Sequence, residues 1–249
     1  INLIIGERSA LSQNLKKKLK NSKIISSNNF LNLKIQSKSN IIINSFYPSK
    51  QISKLEDYNE FLNQSLSILA EGLMRLNKKL INKIIYTSSS SIYGLNTQFK
   101  HADYGNRKIY AASKLLAENI VTNFSTKNKI PYTIARVFNL YGENDKFSIV
   151  SKLIDSNKNK DFFILNNNGS AIRDFISFNQ VSDIYKQILK NKKSEIVDVG
   201  TGYGTQILDI VKTIENKKLI IKKKSIPEQD SSISEKNFYN SNIKFSEFE

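Results

Sequence analysis

Tyr110 and Lys114, four residues apart, form the pair in this sequence best suited to moving a proton. On a helix, residues at this spacing lie on the same face and interact. An ammonium group favours the charged form of a nearby phenol, so we expect Lys114 to lower the pKa of Tyr110. A Thr-Ser-Ser-Ser-Ser run lies upstream at residues 87–91, and a hydroxyl converging on the pair can hold a substrate oxygen. These groups suit a reaction in which a proton moves on or off an oxygen while a cofactor carries a hydride.

A second tyrosine, Tyr104, also stands four residues before a lysine. It is followed by Gly105 and Asn106, which are poor helix formers, so we predict that Tyr104 lies in a loop. Residues 110–121 instead carry apolar side chains at helical spacing. This contrast selects Tyr110 as the candidate proton donor or acceptor.

The N-terminal segment has the order of strand, turn and helix that binds nucleotide phosphates. An apolar run at residues 2–5 ends at Gly6, and an amphipathic helix is predicted over residues 13–20. The backbone N–H groups of such a turn, and the N-terminus of its helix, face an anion. Nucleotide-binding turns carry three glycines. Here Ser9 and Ser12 take the second and third positions, where we expect each Cβ to narrow the approach of a pyrophosphate.

The candidate cofactor contacts lie at the ends of predicted strands and on the helix of the tyrosine. They are Gly6, Arg8, Ser9, Ala10, Leu11, Asn44, Tyr110 and Lys114. Residues 26–29 read Ser-Ser-Asn-Asn and lack the carboxylate that binds an adenosine ribose. A cation such as Arg8 without an opposing carboxylate suits the 2′-phosphate of NADP(H), which we favour, with NAD(H) as the alternative. The competing interpretation is a solvated Arg8 with no ligand.

Predicted strands and helices alternate along the chain. Strands are predicted at residues 2–5, 23–26, 41–43, 83–87 and 132–137, with helices at 13–20, 55–76 and from Tyr110 onward. The alternation predicts an α/β fold, a Rossmann-type doubly wound parallel sheet with a smaller C-terminal substrate-binding part. Residues 1–145 are assigned to the dinucleotide-binding domain and 146–249 to the smaller part, which returns to the main sheet near 196–199. The serine run then lies at the sheet edge where ligands bind, although a flexible turn is the other interpretation.

Composition excludes several classes of function. The chain has a net charge of +16, but its lysines are spread over the whole length, so we expect solvated faces and no nucleic-acid partner. It has no cysteine and one histidine, His101, which argues against a metal site. No apolar run reaches the roughly 18 residues that cross a bilayer, and no export signal is visible. We therefore expect a cytoplasmic protein without a membrane partner.

Five sequence blocks occur in the order seen in one family. They are Ile-Ile-Tyr-Thr-Ser-Ser-Ser-Ser-Ile-Tyr-Gly at 84–94, Tyr-Ala-Ala-Ser-Lys at 110–114, Arg-Val-Phe-Asn-Leu-Tyr-Gly at 136–142, Arg-Asp-Phe-Ile at 173–176 with Asp183, and Val-Asp-Val-Gly-Thr-Gly at 197–202. With these blocks the chain resembles the extended short-chain dehydrogenase/reductases. That family comprises NAD(P)-dependent nucleotide-sugar epimerases, dehydratases and reductases.

The resemblance implies roles for individual residues. Tyr110 would be the general acid/base, Lys114 its partner and a ribose contact, and Ser89 the hydroxyl that holds the sugar oxygen. The implied substrate contacts are Ser89, Ser90, Arg136, Asn139 and Arg173. Asn63 matches a structural position. The resemblance also implies a nucleotide-sugar substrate and a homodimer whose interface includes the helix of Tyr110.

Departures from the family pattern reduce the number of reaction types that fit this chain. Dehydratases of the family carry an Asp-Glu pair where this chain has Ser90 and Ser91, so we do not expect loss of water. The turn from Gly6 to Arg8 resembles the GDP-fucose synthase branch, where the arginine meets the NADP 2′-phosphate, but the cysteine of that branch is absent. Reduction of a 4-keto sugar nucleotide is favoured. A 4-epimerase with retained NAD is the alternative, and a non-catalytic dinucleotide-binding protein is the third hypothesis.

Overall fold

The computed structural model describes residues 1–44, 57–95, 102–142, 145, 147–159, 162–214, 220–226 and 230–241. The strands are β1 (Asn2–Ile5), β2 (Ser22–Ile25), β3 (Ser39–Ile43), β4 (Ile81–Ser89), β5 (Tyr132–Val137), β6 (Asn139–Tyr141), β7 (Phe162–Asn166), β8 (Ile172–Ser177), β9 (Glu195–Val199), β10 (Gly204–Gln206), β11 (Ile220–Lys224) and β12 (Ser231–Ser232). The α-helices are α1 (Ala10–Lys18), α2 (Ser27–Phe30), α3 (Tyr58–Leu62), α4 (Ile68–Arg75), α5 (Ala102–Lys127), α6 (Ile149–Asn159), α7 (Phe178–Lys190) and α8 (Ile207–Ile214).

Six parallel strands form the main sheet, in the order β2-β1-β3-β4-β5-β9. Side chains alternate between the two faces of each strand. On β3, Ile41 and Ile43 pack with α4 and α5, whereas Ile42 packs with α1 and α7. Burial on both faces explains why these strands are continuous apolar runs. The predicted doubly wound parallel sheet is confirmed.

The strand order places a crevice between β1 and β3. After β1 the chain adds β2 on one side, and then crosses to β3 on the other side of β1. At such a switch point the two connections leave the sheet in opposite directions, which opens a ligand crevice at the carboxyl ends of the strands. Gly6 follows β1 and Asn44 follows β3, so both candidate cofactor residues lie at this crevice.

The smaller part of the fold is built around β8. This strand pairs with β6 and β12 in parallel and with β10 in antiparallel orientation, and β7 pairs separately with β11. The chain enters the main sheet again at β9, which lies beside β5. Strand β6 follows β5 directly and pairs with β8, so it connects the main sheet to the smaller part.

Helix α5 begins earlier than the sequence indicated, at Ala102, so the prediction that Tyr104 lies in a loop is wrong. A glycine within a helix costs only about 1 kcal/mol relative to alanine. This helix of 26 residues packs against β4 and β5, and tertiary packing supplies most of the stability of a helix in a protein. Packing therefore outweighs the unfavourable Gly105-Asn106 pair.

Other boundaries differ by a few residues. Helix α1 begins at Ala10 rather than residue 13, because the side chain of Ser9 caps it by accepting a hydrogen bond from the Ser12 amide. The predicted 55–76 helix is interrupted between α3 and α4 by a π-helical stretch, Asn63–Ser67. The predicted start of that helix, His101 and residues 242–249 lie outside the described residues.

Candidate active site

The three predicted catalytic residues converge at the carboxyl end of β4. Ser89 is the last residue of this strand, and α5, which carries Tyr110 and Lys114, packs directly on it. Tyr110 is hydrogen-bonded to Ser89. The Nζ atom of Lys114 donates to the carbonyl oxygen of Thr87 at 2.9 Å, and it lies 5.9 Å from the centre of the Tyr110 ring. The arrangement places a phenol, a hydroxyl and an ammonium group at one point.

The prediction that Lys114 lowers the pKa of Tyr110 is wrong in this structure. Burial raises the pKa of Tyr110 to about 12, and the hydrogen bond from Ser89 only partly opposes this rise. Lys114 directs its ammonium group to a backbone carbonyl instead of the phenol. Tyr110 is therefore protonated at neutral pH, which suits a proton donor.

Lys114 is buried, and its surroundings weaken its hold on a proton. Burial lowers the pKa of Lys114 from 10.5 to about 8, while the negative charge of Glu118 acts in the opposite direction. Glu118 lies one helical turn further along α5, on the same face as Lys114. The ammonium group is thus still charged near pH 7, and burying this charge lowers the free energy of unfolding of the protein.

We expect Lys114→Met to be at least as stable as the unmodified protein near pH 7. The lowered pKa corresponds to a penalty of about 3 kcal/mol, which exceeds the roughly 1 kcal/mol of the hydrogen bond lost to Thr87. The folded pKa lies below the unfolded one, so the penalty is complete below about pH 8 and is relieved as the pH rises toward 10.5. Urea unfolding near pH 7 and about pH 10 should show the advantage of the variant shrinking. Exposed Lys127→Met is the control, and a strongly destabilised Lys114→Met near pH 7 would contradict this expectation.

The turn after β1 has the backbone shape of a phosphate-binding turn. Gly6 adopts φ +113°, a value that favours glycine, and its amide donates to Ile25 at 2.9 Å. Ser9 then caps α1, whose first-turn N–H groups have no acceptor within the helix. These features fit a dinucleotide pyrophosphate.

Ser12 does not narrow this turn, contrary to the sequence-based expectation. Its side chain is fully buried, and its Oγ accepts a hydrogen bond of 2.6 Å from the Asn44 amide group. The Asn44 carbonyl oxygen accepts from Thr87, whose hydroxyl also contacts Tyr185 at 2.7 Å. This buried polar chain joins α1, β3, β4 and α7. Both polar atoms of the Asn44 side chain are therefore hydrogen-bonded within the protein. A cofactor contact from that side chain stays a prediction.

Arg8 lies at the exposed tip of the same turn. Within the described ranges, its guanidinium makes no hydrogen bond or ion pair. Ser26, at the end of β2 where NAD enzymes carry a carboxylate, instead caps α2 by accepting from the Asn29 amide. Arg8 thus forms no ion pair among the described residues, even with the adjacent Glu7, and Ser26 offers no carboxylate, which is consistent with the prediction of a 2′-phosphate contact.

A cleft of about 260 Å³ opens beside Ser89. It is lined by four of the predicted substrate residues, Ser89, Ser90, Asn139 and Arg173, and by two cations that the sequence analysis did not select, Arg107 and Lys108. Asn139 donates to the Asp174 carbonyl at 2.9 Å. Among the described residues, Tyr110 and Arg136 do not line this cleft; Ser89 connects it to Tyr110.

Arg136 is held by protein side chains rather than directed into the cleft. Its Nε and Nη2 atoms donate to Glu118 at 3.1 and 2.8 Å, and Nη1 donates to the Tyr93 hydroxyl. Glu118 also accepts from Ser88, and Tyr93 donates to Asp198 at 2.6 Å. The network ties β4, α5, β5 and β9 together. Contact of Arg136 with a substrate stays a prediction.

Two carboxylates that organise this region, Glu118 and Asp174, received no role from the sequence, although Asp174 lies in one of the five blocks. Glu118 had a visible signal, an acid within an apolar helix four residues after Lys114. Asp174 is fully buried and accepts five hydrogen bonds, from the backbone and hydroxyl groups of Thr201 and Ser234 and from the amide of Gly202. A Cβ at Gly200 would lie 2.5 Å from Asp174, so glycine is required there.

Two kinds of site are absent from the described part of the chain. No group of three or more potential metal ligands occurs among those residues. None of the helices within the described ranges is both long and apolar enough to span a membrane.

A profile of the NAD dependent epimerase/dehydratase family matches residues 6–200. The chain belongs to this family. The match runs from Gly6, through the tyrosine–lysine pair and the Ser89 strand, to Gly200 beside Asp174. The family expected from the five sequence blocks is confirmed, and the chain belongs to a family of enzymes.

Curated relatives are similar over part of their length. A dTDP-L-rhamnose 4-epimerase of Burkholderia thailandensis is 30% identical over 113 residues, 43% of this chain and 31% of that protein. A putative UDP-glucose 4-epimerase of Methanocaldococcus jannaschii is 31% identical over 155 residues, 56% and 49% of the two chains. A GDP-6-deoxy-D-talose 4-dehydrogenase of Aggregatibacter actinomycetemcomitans is 30% identical over 148 residues, 57% and 49%. The matches span half or less of these relatives.

Solved structures share the fold over nearly the whole chain. A UDP-glucose 4-epimerase of Thermotoga maritima with UDP-glucose has a TM-score of 0.77 at 15% identity, covering 94% of this chain and 90% of that one. MoeE5 with UDP-glucuronic acid and NAD has a TM-score of 0.79 at 17% identity, covering 96% and 91%. At these identities the similarity establishes the fold alone.

Proposed function

We propose that this protein reduces a 4-keto sugar nucleotide with NADPH, with Tyr110 passing the proton to the C4 oxygen. The observation that carries the proposal is the convergence of Tyr110, Ser89 and Lys114 at the carboxyl edge of the sheet, next to an open cleft. Ligands of open parallel sheets bind at this edge. The residue types present there are those that a carbonyl reduction requires.

The residues at the β1 turn fit a dinucleotide. Gly6 allows close approach of a pyrophosphate, the first turn of α1 at Ala10 and Leu11 presents N–H groups, and Ser9 lies between them. Arg8 would meet a 2′-phosphate, and Lys114 a ribose. When bound, the dinucleotide supplies the hydride acceptor or donor.

The side chains near the cleft supply the proton chemistry. Ser89 would hold the C4 oxygen by a hydrogen bond, since its hydroxyl lies between Tyr110 and the cleft. Tyr110, protonated at neutral pH, would donate its proton as the carbonyl becomes a hydroxyl group. Lys114, which donates to the Thr87 carbonyl and lies 5.9 Å from the centre of the Tyr110 ring, would contact the ribose of the dinucleotide beside the tyrosine.

A 4-epimerase that retains NAD is the second candidate. Two of the similar curated proteins are named as 4-epimerases and a third as a 4-dehydrogenase, and all three names refer to carbon 4. The same Tyr110 and Ser89 serve both reactions. Loss of water is disfavoured because Ser90 and Ser91 provide no carboxylate at the cleft.

Turnover separates these reactions. Purified protein would be mixed with NADPH and 4-keto-6-deoxyhexoses linked to dTDP or GDP, and NADPH consumption followed. Stoichiometric consumption supports the reductase. Interconversion of C4 epimers without net consumption of a free cofactor supports the epimerase. Binding of the dinucleotide with neither reaction supports the non-catalytic hypothesis.

Replacing Arg8 tests the cofactor preference. We expect NADPH to bind about tenfold more tightly than NADH, because one charge-assisted contact to a phosphate has roughly that effect. In Arg8→Gln, the affinity for NADPH should fall to that for NADH, measured by the fluorescence of the bound nicotinamide. Exposed Lys16→Gln, on helix α1, which follows the turn, is the control. Tight binding of NAD(H) by the unmodified protein would overturn the preference for NADPH.

The homodimer that the resemblance implies is also part of the proposal. On α5, Leu115 and Leu116 are 37% and 49% exposed, so the helix presents an apolar face that a second copy would cover. A solution mass of twice 28.5 kDa is expected by sedimentation, and a monomer at working concentrations would exclude this part of the proposal.

A further inference from the structure

Lysines that are far apart in the sequence lie together at the edge of the main sheet opposite the candidate active site. Because the six strands are parallel, all of them begin at this edge. Each of the five main-sheet strands other than β1 is preceded, within three residues, by an exposed lysine. The lysines that enter these strands, which together we call the lysine edge, are Lys20, Lys38, Lys79, Lys129, Lys192 and Lys193.

Hydrogen bonds between the strand starts hold these connections side by side. The Asn2 side chain donates to the Lys20 carbonyl at 3.0 Å, and the Asn40 side chain donates to Asn2 at 2.9 Å. The Tyr132 amide donates to Ser194 at 3.3 Å. Neighbouring strands are about 4.8 Å apart, so the whole edge is about 24 Å long. The spacing of the charges is comparable to the Debye length of about 8 Å at physiological salt, so they repel one another.

No carboxylate balances the lysine edge. The described connections that enter the five strands contain no Asp or Glu; they are residues 19–21, 31–38, 76–80, 128–131 and 191–194. Within the part of the chain that the structure describes, the six lysines form no ion pair. Glu195, the first residue of β9, instead accepts hydrogen bonds from Tyr239 and Asn191. At the opposite edge, the described residues within three positions of the strand ends carry only Glu7 and Arg8, whose charges cancel.

Stabilisation of helix C-termini does not account for all of these charges. Helices α1, α4, α5 and α7 end at this edge, and four helix ends together carry only about two negative charges. At the end of α7, the buried ammonium group of Lys83 already meets this need. It donates to the carbonyls of Ile188, Asn191 and Lys193 at 3.0, 2.6 and 3.3 Å. The exposed side chains of Lys192 and Lys193 are therefore available to a partner.

The shape and composition of this surface indicate which polyanion it fits. It extends onto both helix layers, with exposed Lys17 and Lys18 at the end of α1 and Lys127 at the end of α5, so it is broad in two directions. The described connections carry no aromatic side chain on which a base could stack, and no arginine that could read a base edge. A membrane leaflet with anionic lipids is a broad negative surface that attracts lysines without either group.

We propose that the lysine edge binds the protein to membranes that contain anionic lipids. In that orientation the carboxyl edge of the sheet, with Ser89 and the cleft, faces away from the membrane. The lysines are spread along the sequence, and only the parallel sheet brings them to one edge.

Cosedimentation with vesicles tests this proposal. The unmodified protein would be mixed at physiological ionic strength with sucrose-loaded vesicles of phosphatidylcholine alone, or of phosphatidylcholine and phosphatidylglycerol in equal amounts. We expect binding only to the anionic vesicles, with release at 1 M salt, where the Debye length falls to about 3 Å. In the edge variant, Lys79→Gln with Lys192→Gln and Lys193→Gln, the affinity should fall about 100-fold, because each lysine near an anionic surface contributes about fivefold.

A control variant removes the same net charge from the smaller part of the fold. Its substitutions are Lys152→Gln, Lys158→Gln and Lys224→Gln, at exposed positions on α6 and β11. Its affinity for the anionic vesicles should stay within about threefold of that of the unmodified protein, because charges beyond a Debye length from the membrane are screened. Both variants should keep the thermal midpoint, because substitutions at such exposed positions change stability little.

Several outcomes would overturn the proposal. They are equal binding to neutral and anionic vesicles, no binding to either, or a loss in the edge variant no greater than in the control variant. Tighter binding to a duplex DNA or single-stranded RNA oligomer than to the anionic vesicles, measured by fluorescence anisotropy at the same ionic strength, would identify nucleic acid as the partner and would also overturn it. The proposed reaction is tested independently, because the edge variant should keep the affinity for NADPH of the unmodified protein.

Discussion

Tyr110→Phe is expected to lower kcat by about 10²- to 10⁴-fold, the usual contribution of a positioned general acid or base. The substitution removes one oxygen and leaves the ring, so packing of α5 against the sheet is retained. Tyr110 is hydrogen-bonded to Ser89, and Phe leaves that hydroxyl without this partner but creates no buried charge. Dinucleotide affinity and the urea midpoint should change little, because the turn after β1 and the core are untouched.

A second tyrosine variant provides the matched control. Tyr132→Phe makes the same chemical change at the first residue of β5, the end of the strand opposite the ligand edge. Steady-state kinetics of both variants with the substrate found by the turnover screen should show loss only for Tyr110→Phe. Full activity of Tyr110→Phe would remove Tyr110 from the mechanism and leave the cleft without an assigned proton donor.

Asp174→Asn is expected to destabilise the protein by about 3–5 kcal/mol, because at least two buried donors lose their acceptor and each unsatisfied buried donor costs about 1–3 kcal/mol. In the structure, Oδ1 accepts from the Thr201 amide and hydroxyl at 2.9 and 2.6 Å. Oδ2 accepts from Gly202 and from both donors of Ser234. Whichever oxygen becomes the NH₂ group of Asn, a donor then faces at least two donors in a fully buried site.

Urea unfolding measures this effect against an exposed aspartate. Asp183→Asn removes a carboxylate that is 64% exposed and paired with Lys186 at 2.7 Å, so its cost should stay within about 0.5 kcal/mol. An Asp174→Asn midpoint equal to that of Asp183→Asn would show that the five hydrogen bonds do not hold the loop after β9 in place. Contacts other than those of Asp174 would then have to fix the position of the adjacent Arg173, which lines the cleft.

Part of the fold was accessible from the sequence because its signals are local. A buried parallel strand is a continuous apolar run, as at β1, β3 and β4, and the alternation of such runs with helices indicates the sheet type. The ends of the helices were harder to predict from the sequence. Helix α5 extends back to Ala102 through Gly105 and Asn106, because a propensity cost of about 1 kcal/mol is small for a helix of 26 residues that packs on β4 and β5 as a whole.

The phosphate turn illustrates the same limit at one residue. Its spacing marked Ser12 as a replaced glycine, but the direction of that side chain depended on a partner 32 residues away, Asn44. Because Asn44 in turn bonds to Thr87 on a third element, no local pattern reveals that Ser12 points into the core.

The sequence by itself determined the family, the parallel sheet and the three candidate catalytic residues, Ser89, Tyr110 and Lys114. Short motifs and hydrophobic periodicity depend only on residues that are close together in the chain, so they can be recognised without the structure. Tertiary structure alone decided which groups meet. Glu118 holds Arg136 across 18 residues, Asp174 holds Ser234 across 60, and Arg107 shares a cleft with Arg173. Charges and hydrogen bonds act over a few ångströms of space and not along the chain, so their partners are set by how the strands and helices pack.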